Sequence, residues 1–317
     1  MINLLITGGC GFIGSNFINW IAKTSKYNII NFDAMYYCAS ENNVCSEVRN
    51  GEHYCLVKGN LTNMDLVKEI LVSHKITQVI HFAAQSHVQN SFDDSMQFTM
   101  DNIVGTHTLL EASRLYGKIE RFIHVSTDEV YGESMLDEDT AHKTEHSVLC
   151  PSNPYAATKA GAELIAQAYY HSYRMPIIIS RGNNVYGPNQ YPEKLIPRFI
   201  KLLNEDKRVT IQGSGSNVRA FLHAEDTARA FEVILEWGIL GEIYNIGCDE
   251  EMEYSVLEVA KILISMIKGV DANIDDWIEY IEDRPFNDAR YYISNAKLKN
   301  LGWDIKINFL DGLKYLV

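Results

Sequence analysis

Through the first 180 residues, short runs of apolar and β-branched side chains alternate with longer stretches whose apolar residues recur every three or four positions. The short runs, 2–6, 28–32, 54–57, 78–81, 121–125 and 176–180, lack an apolar/polar alternation and predict strands buried on both faces, as in a parallel sheet. The longer stretches, 12–23, 64–73, 95–116 and 155–173, predict the helices that cover that sheet. Strands and helices in this order define an α/β fold with a doubly wound parallel sheet. The last two helices are long enough to leave a face over for another subunit.

After Arg181 the texture changes to loops rich in Gly, Pro and Asn, with helices expected near 193–203, 225–237 and 255–267 and strands near 209–212 and 243–246. The expected division is a first domain over 1–182 and a smaller C-terminal substrate-binding lobe over 183–317. Segments of 217–247 are candidates to return to the first sheet.

A chain of 317 residues, 46% apolar and 22% charged, builds a sizeable core. With 28 Lys and Arg against 41 Asp and Glu, its net charge of −13 disfavours nucleic acid or an anionic membrane as partner. Six cysteines without C-x-x-C pairing suit a reducing, cytoplasmic setting, with free buried thiols as the plain expectation. The apolar stretch 4–22 has no positive region before it and is broken by glycines and polar residues, so it does not read as a signal peptide. The sequon Asn60-Leu61-Thr62 is then a chance match.

The first strand runs straight into Thr7-Gly8-Gly9-Cys10-Gly11-Phe12-Ile13-Gly14, a G-x-G-x-x-G pattern between strand and helix. Such glycines allow a tight turn and a close approach of pyrophosphate to the helix N-terminus. Asp33, at the end of the second strand, falls where a carboxylate accepts adenosine ribose hydroxyls. No Lys or Arg lies between Lys26 and Arg49 to receive a 2′-phosphate, which favours NAD over NADP. Further on, Tyr155 and Lys159 stand four apart on one helix face, and Thr127 follows the strand at 121–125 as a further hydroxyl. A tyrosine of reference pKa ~10 needs about 4 kcal/mol of help to act as a base near neutrality. An ammonium ~4 Å away supplies that order, and the expectation is that Lys159 does so, with an oxidised nicotinamide adding to it.

These residues carry a resemblance to the extended short-chain dehydrogenases/reductases and, within them, to the nucleotide-sugar 4,6-dehydratases. It runs through TGGCGFIG, HFAAQSHV, STDEVYGE, NPYAATKAGAE, RGNNVYGPNQYPEKLIP, YNIG and RPFNDARYY, spanning nearly the whole chain. The resemblance implies a Rossmann-type NAD domain, with Gly8, Gly11, Phe12, Ile13, Gly14, Asp33, Asn60, Leu61, Ala83, Ala84, Tyr155 and Lys159 at the cofactor. It implies Thr127, Asp128, Glu129, Tyr155 and Lys159 as the catalytic group. Tyr155 would take the proton of the sugar's 4-hydroxyl, Glu129 the proton at carbon 5, and a protonated Asp128 would donate to the departing 6-hydroxyl. Sugar 4-epimerases share Tyr155, Lys159 and the glycine loop but do not need the Asp-Glu pair.

For the substrate, the resemblance implies contacts from Ser86, Asn184, Glu193, Lys194, Leu195, Arg219, Asn245 and Arg284, the arginines facing a pyrophosphate. It favours UDP-glucose over dTDP-glucose, because RGNNVYGPNQYPEKLIP and RPFNDARYY look closer to the dehydratase region of plant rhamnose synthases than to bacterial dTDP-glucose enzymes. A homodimer joined through the 95–116 and 155–173 helices is implied as well. Asn60 departs from the family's usual Asp, although an amide oxygen is also an acceptor for the adenine amino group. Gln89 and Ala220 depart too. His142-Lys143-Thr144-Glu145-His146 spells H-x-x-E-H in a polar stretch without a third ligand, so no metal is expected. A non-catalytic, redox-sensing NAD protein is the rival from another class, and it would not need an intact tyrosine–lysine pair.

Overall fold

Leu4 and Ile6 point to one side of their strand and Leu5 to the other, and all three are buried, because a sheet covered on both faces demands apolar residues at every position. The computed structural model describes residues 1–134, 142–282 and 290–317. Its strands are β1 (Ile2–Thr7), β2 (Tyr27–Asp33), β3 (Tyr54–Lys58), β4 (Gln78–His81), β5 (Arg121–Thr127), β6 (Ile177–Gly182), β7 (Asn184–Tyr186), β8 (Val209–Gln212), β9 (Val218–His223), β10 (Ile243–Ile246), β11 (Glu253–Ser255) and β12 (Ile278–Ile281). Seven form a parallel sheet in the order β10-β6-β5-β4-β1-β2-β3. This is the Rossmann-type, doubly wound architecture.

One face of the sheet packs on the Phe12–Ile21 and Ala224–Trp237 helices through Phe17, Ile18, Phe231 and Ile234. The other packs on Met64–Ser73, Gly105–Tyr116 and Pro154–Tyr173 through Ile70, Leu109, Leu110 and Ala166. Because β1 connects outward to β2 and β4 outward to β5, the chain reverses between the neighbours β1 and β4. The crevice at their carboxyl ends is where such folds hold a ligand.

The stretch from Ser95 to Tyr116 runs as one helix with a π-helical turn at Thr99–Val104. That turn aims Asn102 inward, where its amide accepts from the Gln85 N–H at 2.7 Å and donates to the Gln85 carbonyl and Thr158 hydroxyl. The helix expected over 12–23 instead tightens to a 3₁₀ turn at Ala22–Thr24. In the later part, Ile243–Ile246 joins the edge of the large sheet beside β6. A third core gathers Phe199, Val209, Ile211, Phe221, Val259 and Leu263 beneath two small sheets, β11-β9-β7 and β12-β8. All six cysteines are free, and burial is uneven: Cys10 and Cys248 are buried, whereas Cys55 and Cys150 are exposed. Among the described residues no helix is long and apolar enough to cross a membrane.

Candidate active site

Gly8 sits at φ +73°, and a Cβ there would lie 2.6 Å from the Ala83 nitrogen, so no other residue lets the turns after β1 and β4 come this close. Gly11 leads into the Phe12–Ile21 helix without a side-chain cap, which leaves its first N–H groups available to an anion. Asp33, 6% exposed, accepts from the backbone N–H of Cys10 at 2.9 Å and of Met35 at 2.8 Å. Burial raises its pKa. The neighbouring Cys10 thiol is pushed up to about 12 by burial and by Asp33, which leaves it inert.

A single cavity over this crevice is lined by Gly8, Gly11, Phe12, Ile13, Gly14, Asp33, Asn60, Leu61, Ala83, Ala84, Tyr155 and Lys159. These residues fit a dinucleotide: a glycine turn on uncapped helix N–H groups at one end, a carboxylate on the ribose side, and the tyrosine–lysine pair at the other. Asn60 differs from expectation in detail. Its amide oxygen already accepts from the Thr62 N–H and hydroxyl and its nitrogen donates to Tyr36, so both lone pairs are taken before an adenine amine arrives.

A second cavity adjoins the first and is lined by Ser86, Glu129, Asn153, Asn184, Glu193, Lys194, Leu195 and Arg219, among others. Ser86, Glu193 and Lys194 line both. Across this shared wall the Tyr37 hydroxyl donates to the Glu193 carboxylate at 2.9 Å, and the Lys194 ammonium donates to the Ser86 carbonyl at 3.1 Å. Arg219 lies over the Tyr291 ring. Asn245 is a correction. It is fully buried away from either cavity, and its amide accepts from the Tyr131 hydroxyl at 2.8 Å, which makes it a support of the site. Arg284 lies outside the described residues. The Glu145 carboxylate of the H-x-x-E-H stretch accepts from the Asn245 N–H, a bond within the scaffold.

On the wall of the second cavity, a 3₁₀ turn at Asp128–Tyr131 carries the two carboxylates, Glu129 lining the cavity and Asp128 buried behind it. Tyr131 anchors that turn: Arg181, 2% exposed and ion-paired with the buried Glu163, donates to its hydroxyl at 2.7 Å. Asp128 is 2% exposed and accepts from the Asn183 amide at 2.7 Å and from the Thr127 hydroxyl at 3.1 Å. Desolvation and the adjacent Glu129 charge raise its pKa to about 7, against the pull of Asn183, Thr127 and Arg219. Near neutral pH it therefore keeps its proton about half the time, where an ordinary carboxyl would be ionised. Glu129 faces the second cavity, held by the Asn153 amide at 3.0 Å.

Asn153 also caps the helix that carries Tyr155 and Lys159, accepting from the Ala156 N–H at 2.8 Å, with Pro154 in the first turn. Asn183 and Asn153 were both missed by sequence reasoning. A signal existed only for Asn153, in the Asn-Pro start of a helix.

The tyrosine departs from expectation. Lys159 is buried, its pKa is lowered to about 8 by desolvation, and its ammonium donates to the Val125 carbonyl at 2.6 Å. Burial and the negative charges of Glu129 and Asp128 hold the Tyr155 phenol above its ordinary pKa, opposed by a hydrogen bond from Thr127. The carbonyl takes one of the ammonium's three donors, and Lys159 still lines the dinucleotide cavity beside Tyr155.

Comparison with known proteins agrees with this geometry. A family model described as GDP-mannose 4,6 dehydratase matches residues 5–316. The chain is 49% identical over 314 residues to the trifunctional UDP-glucose 4,6-dehydratase/UDP-4-keto-6-deoxy-D-glucose 3,5-epimerase/UDP-4-keto-L-rhamnose-reductase of Arabidopsis thaliana, covering 98% of this chain and 46% of that one. It thus spans about half the length of the plant relatives it matches. Against the dTDP-D-glucose 4,6-dehydratase of Homo sapiens it is 44% identical, covering 98% of this chain and 87% of that one. The dTDP-glucose 4,6-dehydratase of Bacillus anthracis, solved in complex with NAD, superposes with a TM-score of 0.89 at 39% identity over 99% of this chain and 95% of that one. With its glycine turn, its Tyr155–Lys159 helix and the Asp128–Glu129 turn at the second of two adjoining cavities, the chain belongs to the GDP-mannose 4,6 dehydratase family of nucleotide-sugar enzymes within the short-chain dehydrogenases/reductases.

Proposed function

We propose that this protein binds NAD and dehydrates UDP-glucose to UDP-4-keto-6-deoxyglucose. The observation that carries the reading is the buried Asp128, its pKa raised to about 7, beside Glu129 on the wall of the second cavity. A 4-epimerase has no use for a neutral carboxylic acid next to a second carboxylate, whereas elimination of water needs an acid and a base together.

NAD, held by the glycine turn, Asp33, Tyr155 and Lys159, would supply the hydride chemistry between carbon 4 and carbon 6. Tyr155, as phenolate, takes the proton of the 4-hydroxyl. The ketone acidifies carbon 5, whose proton goes to Glu129. Asp128 gives its proton to the leaving 6-hydroxyl, and Glu129 then returns its proton to carbon 5. Arg219, on the wall of the second cavity, is suited to the diphosphate, and Asn184, Leu195 and Ser86 to the rest of the sugar nucleotide. Because Asp128 works as the acid, kcat falls as pH rises through about 7, where that carboxyl loses its proton. A kcat profile flat from about pH 6 to about pH 9 would remove Asp128 from that role.

UDP is favoured over dTDP by the higher identity to the plant enzymes, 49% against 44%. Incubation with NAD and each sugar nucleotide, followed by mass spectrometry, tests base and reaction together. Loss of water from UDP-glucose alone is expected; loss from dTDP-glucose alone overturns the base, and a galactose isomer overturns the reaction. The product fits a rhamnose route in the cytoplasm.

The protein is also proposed to be a homodimer. Met96, Met100 and Val104, four apart, are exposed along one helix, and Leu164 and Tyr173 along the Pro154–Tyr173 helix beside it. Sedimentation of the same preparation as a monomer at micromolar concentration would count against this.

A further inference from the structure

The acid that dehydration requires sits on a short turn, and that turn is clamped from behind; the inference rests on the dehydratase reading above. In a 3₁₀ turn, side chains three apart lie one above the other. Asp128 and Tyr131 are three apart in the turn Asp128–Tyr131, and both are 2% exposed, whereas Glu129 between them lines the second cavity. Tyr131 therefore shares the inward face of the turn with Asp128. Whatever fixes its ring also fixes the carboxyl beside it.

Two strands and a helix hold Tyr131. Arg181, on β6, donates from Nη1 to the phenol oxygen at 2.7 Å and sets its guanidinium carbon 4.6 Å from the ring centroid. The phenol donates in turn to Asn245 Oδ1 on β10 at 2.8 Å, and the Asn245 backbone N–H donates to Glu145 at 3.0 Å. Arg181 pairs with Glu163 through Nη2, and through Nε at 3.1 Å, and Glu163 is wholly buried on the Pro154–Tyr173 helix. Tyr155, Lys159 and Glu163 follow one another at steps of four on that helix, so they share a face, and all three are buried. The guanidinium thus ties the turn that carries the acid to the helix that carries the base of the first step. A buried ion pair adds little stability over apolar side chains of like volume, so stability alone does not account for this one.

We infer that Tyr131 is a positioning residue for the elimination step, holding Asp128 in place to protonate the departing 6-hydroxyl, with Arg181 as the clamp on Tyr131. In that step the O–H bond of Asp128 breaks as one forms to the leaving oxygen, and the bond from carbon 6 to that oxygen breaks. The electron pair of the carbon 5–hydrogen bond becomes the new double bond as Glu129 takes the proton. Tyr131 neither gains nor loses a proton. Its effect falls on the acid, because Glu129 is held from another side by Asn153 at 3.0 Å and Tyr155 stands on its own helix. A turn without its clamp therefore leaves oxidation at carbon 4 intact and weakens protonation of the leaving group.

Tyr131→Phe keeps the ring under the guanidinium and removes only the hydroxyl. With the sugar nucleotide that the unaltered enzyme dehydrates, loss of water is expected to slow by about 10²-fold while KM stays that of the parent. Rapid mixing, followed by the near-ultraviolet absorbance of reduced nicotinamide, is expected to show it forming at the parent rate and then accumulating. A 6-deoxy-6-fluoro analogue of the same sugar nucleotide isolates the acid, since fluoride leaves without a proton. The variant is expected to expel fluoride close to the parent rate. If Tyr131→Phe does not fold, Asn245→Ala, which removes the acceptor of the same hydroxyl, is read in the same way. Equal slowing with both substrates overturns the assignment, because the base or the whole site has then moved; a variant that dehydrates as fast as the parent overturns it too. Failure of the parent itself to dehydrate any nucleoside diphosphate glucose is a different result and overturns the function on which the inference rests.

Discussion

Glu129→Gln is expected to lower dehydration by about 10³-fold while the protein still folds and still oxidises carbon 4. The amide has the carboxylate's shape, so Asn153, 3.0 Å from Glu129 Oε2, still has an oxygen to donate to. What the amide lacks is basicity. The 4-keto sugar would then remain with its 6-hydroxyl in place, and carbon 5 would take up no deuterium from heavy water. Nuclear magnetic resonance of the recovered sugar reads both, and unchanged exchange at carbon 5 would remove Glu129 from the role of base.

The second large effect belongs to Tyr155→Phe. Loss of the hydroxyl removes the only group in the proposal that takes the 4-hydroxyl proton, and a fall of about 10³-fold or more is expected from the first step onward. Substrate carrying deuterium at carbon 4 distinguishes this from the Glu129 case. The parent enzyme moves that deuterium to carbon 6 of the product, and Tyr155→Phe leaves it at carbon 4. Transfer at the parent rate would mean that another group takes the proton, and Lys159, lowered to about 8 within the same buried helix face, would be the first to examine.

The parts of the site that sequence made legible are those whose meaning is local. The glycine turn, Asp33 at a strand end and the Asp128–Glu129 pair after β5 each occupy a few consecutive residues, and a strand–turn–helix context gives them direction. Contacts set by the fold were invisible. Asn183 meets Asp128 across 55 positions, and Arg181 reaches Tyr131 across 50. The family resemblance implies a substrate contact at Asn245, yet β10 enters the sheet edge and its buried amide accepts from Tyr131. The same limit applies to Lys159: helix spacing puts it on Tyr155's face, but only the fold shows that one of its donors goes to the Val125 carbonyl. In the second lobe, β9 went unseen because Arg219 and His223 interrupt its apolar pattern, and β7 and β11 are three residues each.

Asn153 has a consequence for how freely this sequence can drift. As a helix cap it has acceptable substitutes, since Ser, Thr and Asp all cap well and loss of a cap costs about 0.5–2 kcal/mol. Its second duty admits few of them. Asp would set a third carboxylate against Glu129, and the shorter side chain of Ser or Thr cannot both accept from Ala156 and span to Oε2. A position that cap statistics alone would leave variable is thereby narrowed to one residue type, and lineages that keep the dehydration chemistry should show Asn there even where the surrounding helix has changed.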